Sequence, residues 1–153
     1  MKKIKQDRSL LIYLLLSLVT LGIYALYHYY TMIRDINVML KDDGKKTPQI
    51  YWLVLLGILT LTLFPLFWHY ELGNRLRNAL QARGLPVSIG GGGQLALFFF
   101  GRQIFFLSWI AQYNLIYACN RLAAHHNKAL AEAARPPLPE AKNEERSENN
   151  LYW

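Results

Sequence analysis

Three stretches of this 153-residue chain are almost empty of charge, and that limits its fold more than any motif does. The first runs from Ser9 to Ile33 and the second from Pro48 to Tyr70, and neither holds an Asp, Glu, Lys or Arg. The third, Gln94 to Ala118, holds only Arg102. Each exceeds the ~20 residues that cross a ~30 Å hydrocarbon layer at ~1.5 Å per residue. Charged residues are 18% of the whole, against roughly 25% in soluble domains. Tyr and Trp crowd the run ends (Tyr24, Tyr27, Tyr51, Trp52, Trp68, Tyr70), where interfacial anchors belong. The expectation is an all-α integral membrane protein. Lys2, Lys3, Lys5 and Arg8 resemble the basic start of a signal peptide. The run that follows is too long for an h-region and no small-x-small site comes after it, so it reads as a retained span.

The runs look like copies of one unit. Tyr27-His28-Tyr29 aligns with Trp68-His69-Tyr70 at a spacing of 41, which places Asn37 on Asn78, and Asn120 follows 42 residues later. Each run leads into an amphipathic extension. In the first it is Met32, Ile33, Ile36, Met39 and Leu40, a stripe with helical period. The chain then divides into a basic N-terminus (1–8), repeats at 9–43 and 48–83, a Gly-rich loop (84–93), a third repeat (94–130) and a Pro/Glu-rich tail (131–153). The tail reads as solvated and disordered. Its Arg135-Pro136-Pro137-Leu138-Pro139 has the form of a polyproline ligand, with a linker the plainer reading. The Gly-rich stretch lacks the Lys-Ser/Thr of a phosphate-cradling loop and reads as a flexible hinge.

Residues Arg8 to Leu10, the stretch Ser17 to Tyr24 with its Thr-Leu-Gly-Ile-Tyr element, Tyr27-His28-Tyr29-Tyr30 and Asp35-Ile36-Asn37 resemble a family of small bacterial membrane proteins, domain of unknown function 4234. The likeness is good over 8–41, moderate over 48–81, where Thr60-Leu61-Thr62-Leu63-Phe64-Pro65 replaces the glycine form, and weak beyond 94. It implies a fold type and a multi-pass place in a bacterial inner membrane, with no established activity.

Gly22 can end a helix in the left-handed conformation, and Pro65 can begin one at its first position. Each unit is then either one kinked crossing or a re-entrant hairpin whose break is buried in protein. Three kinked spans are the favoured form. They split the fourteen flanking basic residues evenly between the two sides, so the positive-inside rule sets no orientation. Re-entrant units would put all fourteen on one side, and dual topology would also explain a tie.

Nothing in the sequence gathers into a catalytic set. Asp35, Asp42, Asp43 and Glu71 lie at or beyond the run ends, which counts against proton-coupled transport. One Cys excludes an internal disulfide and Cys-clustered metal sites. His28 and His69 read as interfacial packing, and His125-His126 point to different helix faces, so no metal or cofactor is expected. The polar residues inside the runs say more. Ser9, Tyr13, Ser17, Thr20, Tyr24, His28 and Thr31 recur every three or four residues on one face. Gly57 and Thr60 in run two, and Gln94, Gly101, Ser108, Gln112 and Cys119 in run three, form similar faces. Such faces pack helices together in lipid, or line a path through it. Arg102, with Gln103 beside it, is read as snorkelling to headgroups, as an anion or lipid-phosphate site, or as a partner of Asp35 or Glu71. Arg75, Arg77 and Arg83 should meet anionic lipid headgroups rather than nucleic acid. The functional expectation is a non-enzymatic, self-associating interaction or assembly protein. The alternative is an oligomeric channel lined by the Ser/Thr/Tyr and Gln faces.

Overall fold

The computed structural model describes residues 3–61, 63–101 and 105–134. Arg102, Gln103 and the tail from residue 135 lie outside them. Six helices follow in order: α1 (Leu10–Val19), α2 (Ile23–Met39), α3 (Ile50–Leu59), α4 (Leu63–Ala82), α5 (Gly91–Gly101) and α6 (Phe105–Ala133), with a short 3-10 turn at Lys41–Asp43.

The helices pair as three hairpins, not three kinked spans. In unit one the Tyr13 and His28 rings lie 4.9 Å apart, although fifteen residues of unbroken helix would separate them by about 22 Å. In unit two Trp68 Nε1 donates to Pro48 O at 3.4 Å. In unit three Gln94 Nε2 donates to Ala111 O at 3.0 Å. The kinked-span expectation fails because the break reverses the chain. After α1, Gly22 N–H donates to Ser17 O at 2.7 Å and Leu21 N–H to Leu18 O at 3.2 Å, a Schellman closure. Leu21 is the residue that turns left-handed (φ +50°), followed by Gly22 (φ +92°), and Leu61 repeats the turn in unit two (φ +48°). Pro65 is the third residue of α4, not its first. There its missing N–H leaves no bond unmade, and its ring packs against buried Gly57.

The break threonines hold both sides of the turn. The Thr20 hydroxyl donates to Leu16 O (2.7 Å) and accepts from Tyr24 N–H (2.9 Å). Thr60 does the same with Leu56 O (2.6 Å) and Phe64 N–H (3.0 Å). First helices of 10, 10 and 11 residues rise only about 15–17 Å. Among the described residues no helix is long and apolar enough to cross a membrane.

The core sits in the second helices. Met32 and Ile36 of α2 with Leu40 at its C-cap, Leu72, Leu76 and Leu80 of α4, and Leu115, Cys119 and Ala123 of α6 are all buried. They align at offsets of 40 and then 43 residues, so the repeat register differs from 41. Asn37 and Asn120 remain equivalent, but the unit-two position is Arg77, and Asn78 is exposed.

The units close into a ring: α2 packs on α3, α4 on α5, and α6 back on α1. Polar clamps mark each join. Asn37 donates to Thr47 O and accepts from Thr47 N–H, both at 2.9 Å. Asn120 treats the Arg8 backbone in the same way (2.8 and 3.1 Å), and Asn127 repeats it on Ile4 (2.7 and 2.9 Å). At the remaining join Asn74 Oδ1 accepts from Gly91 N–H at 2.8 Å. Gly91 there serves close approach rather than hinging. A Cβ on Gly91 would lie 2.3 Å from Tyr70 O, and the helix begins at Gly91 instead of after the glycines.

The new register makes a sharp prediction. Asn120→Ala removes two clamp bonds and should destabilise the fold by about 1–3 kcal/mol, with faster hydrogen exchange at Arg8. Asn78→Ala should change thermal stability by less than about 0.5 kcal/mol. Equal losses in the two variants would restore the 41-residue register.

Candidate functional site

The second-helix core places one residue of each unit at an equivalent inward position: Tyr29, His69 and Gln112. All three line one cavity of about 630 Å³, with Tyr13, Leu14, Ser17 and Leu18 of α1, Phe98 of α5, and Ser108 and Trp109 of α6. The hairpin fold makes this convergence. Reversal at Leu21 turns the Tyr13 and Ser17 face of α1 onto α2 and α6, so the polar face seen in the sequence points into the chain's own interior.

The polar groups there are unevenly satisfied. The Tyr29 hydroxyl donates to Gln112 Oε1 at 2.5 Å, which fixes the amide orientation. Among the described residues, Gln112 Nε2, Ser17 Oγ, His69 Nδ1 and His28 Nε2 are buried without a hydrogen-bond partner. His69 stacks on Phe98 with ring centroids 3.9 Å apart. Burial lowers the His69 pKa to about 4. Burial, and then the positive charges of Arg8 and Lys5, lower His28 to about 4. Both imidazoles are therefore neutral near pH 7.

Outside the cavity, charge is spent on structure. Arg8, nearly buried, pairs with Asp35 and donates to Lys5 O (2.6 Å) and Cys119 Sγ (3.4 Å). Asp35 also pairs with Arg34 at 3.1 Å. Arg75 is buried as well, which overturns its expected role at the lipid surface. Its guanidinium donates to Asp43 (2.8 and 3.0 Å), Asn37 Oδ1 (2.7 Å), Thr47 Oγ1 (2.6 Å) and the Lys45 carbonyl (2.6 Å). Arg83 is half-buried and donates to Ala79 O at 2.9 Å, while Arg77 stays exposed.

Of the face residues singled out in the sequence, Ser17, Ser108 and Gln112 meet at the cavity. The Tyr24 and His28 rings lie 6.2 Å apart, tilted at 46° to each other. Thr20 and Thr60 cap the turns, and Gly57 and Gly101 admit close helix contacts to Pro65 and Ser108. Sequence reading missed Tyr29, because its equivalence to His69 and Gln112 appears only at offsets of 40 and 43. It missed Asn37, Asn120 and Asn127 as clamps too, although the asparagine recurrence was the available signal. Among the described residues no group of three His, Cys, Asp or Glu side chains is placed to hold a metal ion.

The fold and the cavity define a class, a ring of helical hairpins around a neutral polar centre. Residues 8–78 match the family described as "Domain of unknown function (DUF4234)", and this stretch of the chain belongs to it. No curated protein and no solved structure matches the chain. The third hairpin repeats the unit although it lies beyond the matched residues.

Two predictions follow from the buried groups. The unfolded chain takes up histidine protons below about 6.5, whereas folded His28 and His69 do so only near 4. Stability should therefore fall as pH drops from about 6.5 towards 4. Melting temperatures in detergent micelles should show this slope, and the His28→Gln/His69→Gln double variant should lose it. Burial, with Asp35 adding to it against the opposing pull of Arg8, pushes the Cys119 thiol up to about 11. Native protein should resist maleimide until it is unfolded, and rapid labelling of the folded chain would refute its burial.

Proposed function

We propose that the chain is a non-enzymatic interaction or assembly protein of the bacterial inner membrane, inserted into one leaflet by three re-entrant hairpins. The observation that carries this reading is the chemistry of the turns. Leu21 and Leu61 adopt the left-handed conformation that favours glycine or asparagine, and they are 94% and 86% exposed. In water a leucine there is strained and gains nothing. In hydrocarbon each becomes the leading apolar contact of its hairpin. Leu18, Val19, Ile58 and Leu59 beside them are also exposed, and a patch this apolar marks an interaction surface.

The short first helices reach about half of a ~30 Å hydrocarbon layer. Backbone at the first turn is satisfied internally by its Schellman bonds, and the Thr20 and Thr60 hydroxyls serve the first two turns, as lipid requires. The basic residues lie towards the open ends of the hairpins, where exposed Lys41, Lys46, Arg77 and Arg121 would meet anionic headgroups at about 1 kcal/mol each. All of them on the cytoplasmic side satisfies the positive-inside rule. Self-association would use the exposed apolar flanks of α1 and α3, since the small and polar faces are occupied within the chain. No observation favours the channel alternative.

The test is topological. Single cysteines at Lys5, Lys45, exposed Gly92 and Lys142, in a Cys119→Ser background, are treated in intact cells with a membrane-impermeant thiol reagent. All four should be protected, and all four should label after permeabilisation. An alternating pattern would establish crossings instead. Leu21→Asp/Leu61→Asp should shift the protein from the detergent-requiring fraction towards the carbonate-soluble one. Recovery of the unmodified protein without detergent would end the membrane proposal.

A further inference from the structure

We propose that the cavity between α1 and the α5–α6 hairpin is a binding site for a neutral lipophile bearing a carbonyl oxygen, the ester of an acyl lipid or a quinone. Its volume of about 630 Å³ falls within the roughly 300–1,000 Å³ of small-molecule sites. Leu14, Leu18, Phe98 and Trp109 supply apolar walls. Buried polar groups are normally paired, and unpaired ones call for an explanation. Here three of them belong to residues that line one space: Gln112 Nε2, Ser17 Oγ and His69 Nδ1. Gln112 and His69 are only 4% and 3% exposed.

The donor balance sets the ligand chemistry. Because Gln112 Oε1 already accepts from Tyr29, the free end of that amide is its NH2. With the Gln112 amide as a fixed donor, and with the Ser17 hydroxyl and His69 Nδ1 able to donate or accept, the cavity suits an acceptor oxygen. Among the described residues no Lys, Arg, Asp or Glu lines it, and an ionised group would find no partner charge among them. The α1 wall continues onto exposed Leu15 and Leu18, so the approach is from the apolar flank of hairpin one and a lipid-soluble ligand reaches it most directly.

Native mass spectrometry of the full chain, released from detergent micelles, tests the site. The probes are an ester-linked phosphatidylcholine, its ether-linked analogue without carbonyls, and decylubiquinone. One ester lipid or one quinone per chain should survive release, with the ether analogue retained about fivefold less. Gln112→Leu should lower retention about tenfold, but it also strips Tyr29 of its acceptor. Ser17→Ala, which removes one donor, and Leu18→Trp, which obstructs the mouth from an exposed position, therefore serve as controls. Both should keep native helicity and lose ligand. Preference for the ester identifies the lipid as the source, and retention of decylubiquinone alone identifies the quinone. Equal retention of ester and ether lipids, unchanged by Leu18→Trp, would show a surface lipid only and overturn the proposal. Retention of neither lipid nor quinone would assign the space to water and overturn it as well. The measurement is made in micelles, so its failure and a failure of leaflet insertion are read separately.

Discussion

A helix of ten apolar residues is too short to cross a bilayer and too greasy to lie bare in water, and the architecture follows from where that helix is made to stop. The stop is a Schellman turn with leucine at its left-handed position, a conformation disfavoured by roughly 1–2 kcal/mol in an L-residue. The threonine before it returns part of that by bonding backward to a carbonyl and forward to the first free amides of the next helix. Reversal then lays Tyr13 on His28 and carries Ser17 towards Gln112. It also sends the basic residues to one end of the molecule. A straighter break would have undone all of this at once.

The second constraint is the closing of the ring. Each join needs a flexible connector held against a rigid helix, and asparagine suits the task because one amide can satisfy both the N–H and the C=O of a passing residue. Asn37 and Asn120 do this at equivalent positions. Where unit two has Arg77 instead, Asn74 takes up one bond from the adjacent turn. The buried arginines follow the same logic. Arg75 collects acceptors from α2 and the connector to α3, which makes a buried charge tolerable and ties unit one to unit two. Arg8 and Asp35 tie the N-terminal segment to the core.

The helical class and the first break were legible in the sequence, because apolar runs, helical stripes and the Thr-Leu-Gly-Ile-Tyr element are local signals. The direction of the chain after each break was not. A glycine near the end of an apolar helix is equally compatible with a kink and a reversal, and the deciding contact, Tyr13 on His28, lies fifteen residues away. Register failed by one residue because the aromatic triplet is a louder signal than the core, yet burial obeys the core. Tyr29, His69 and Gln112 share no chemical type, so only burial reveals their kinship. Arg75 looked like a surface cation because its acceptors, the Asp43 carboxylate, Asn37, Thr47 and backbone carbonyls, lie 28 to 38 residues away and leave no recognisable pattern in sequence.

The clamp on the first segment also imposes an order of events during synthesis. Ile4 is bound by Asn127, 123 residues later, and Arg8 by Asn120, 112 later. While the ribosome is still making the middle of the chain, hairpin one has no sixth helix to lie against, and its neighbour on that side does not yet exist. Hairpins one and two can associate early through nearby contacts, whereas the final closure must wait for nearly the whole chain and bridges its longest loops. A nascent chain halted after α4 would present an open arc with one unpaired flank. That flank is the surface most exposed to chaperones, to proteases and to the matching edge of another unfinished copy.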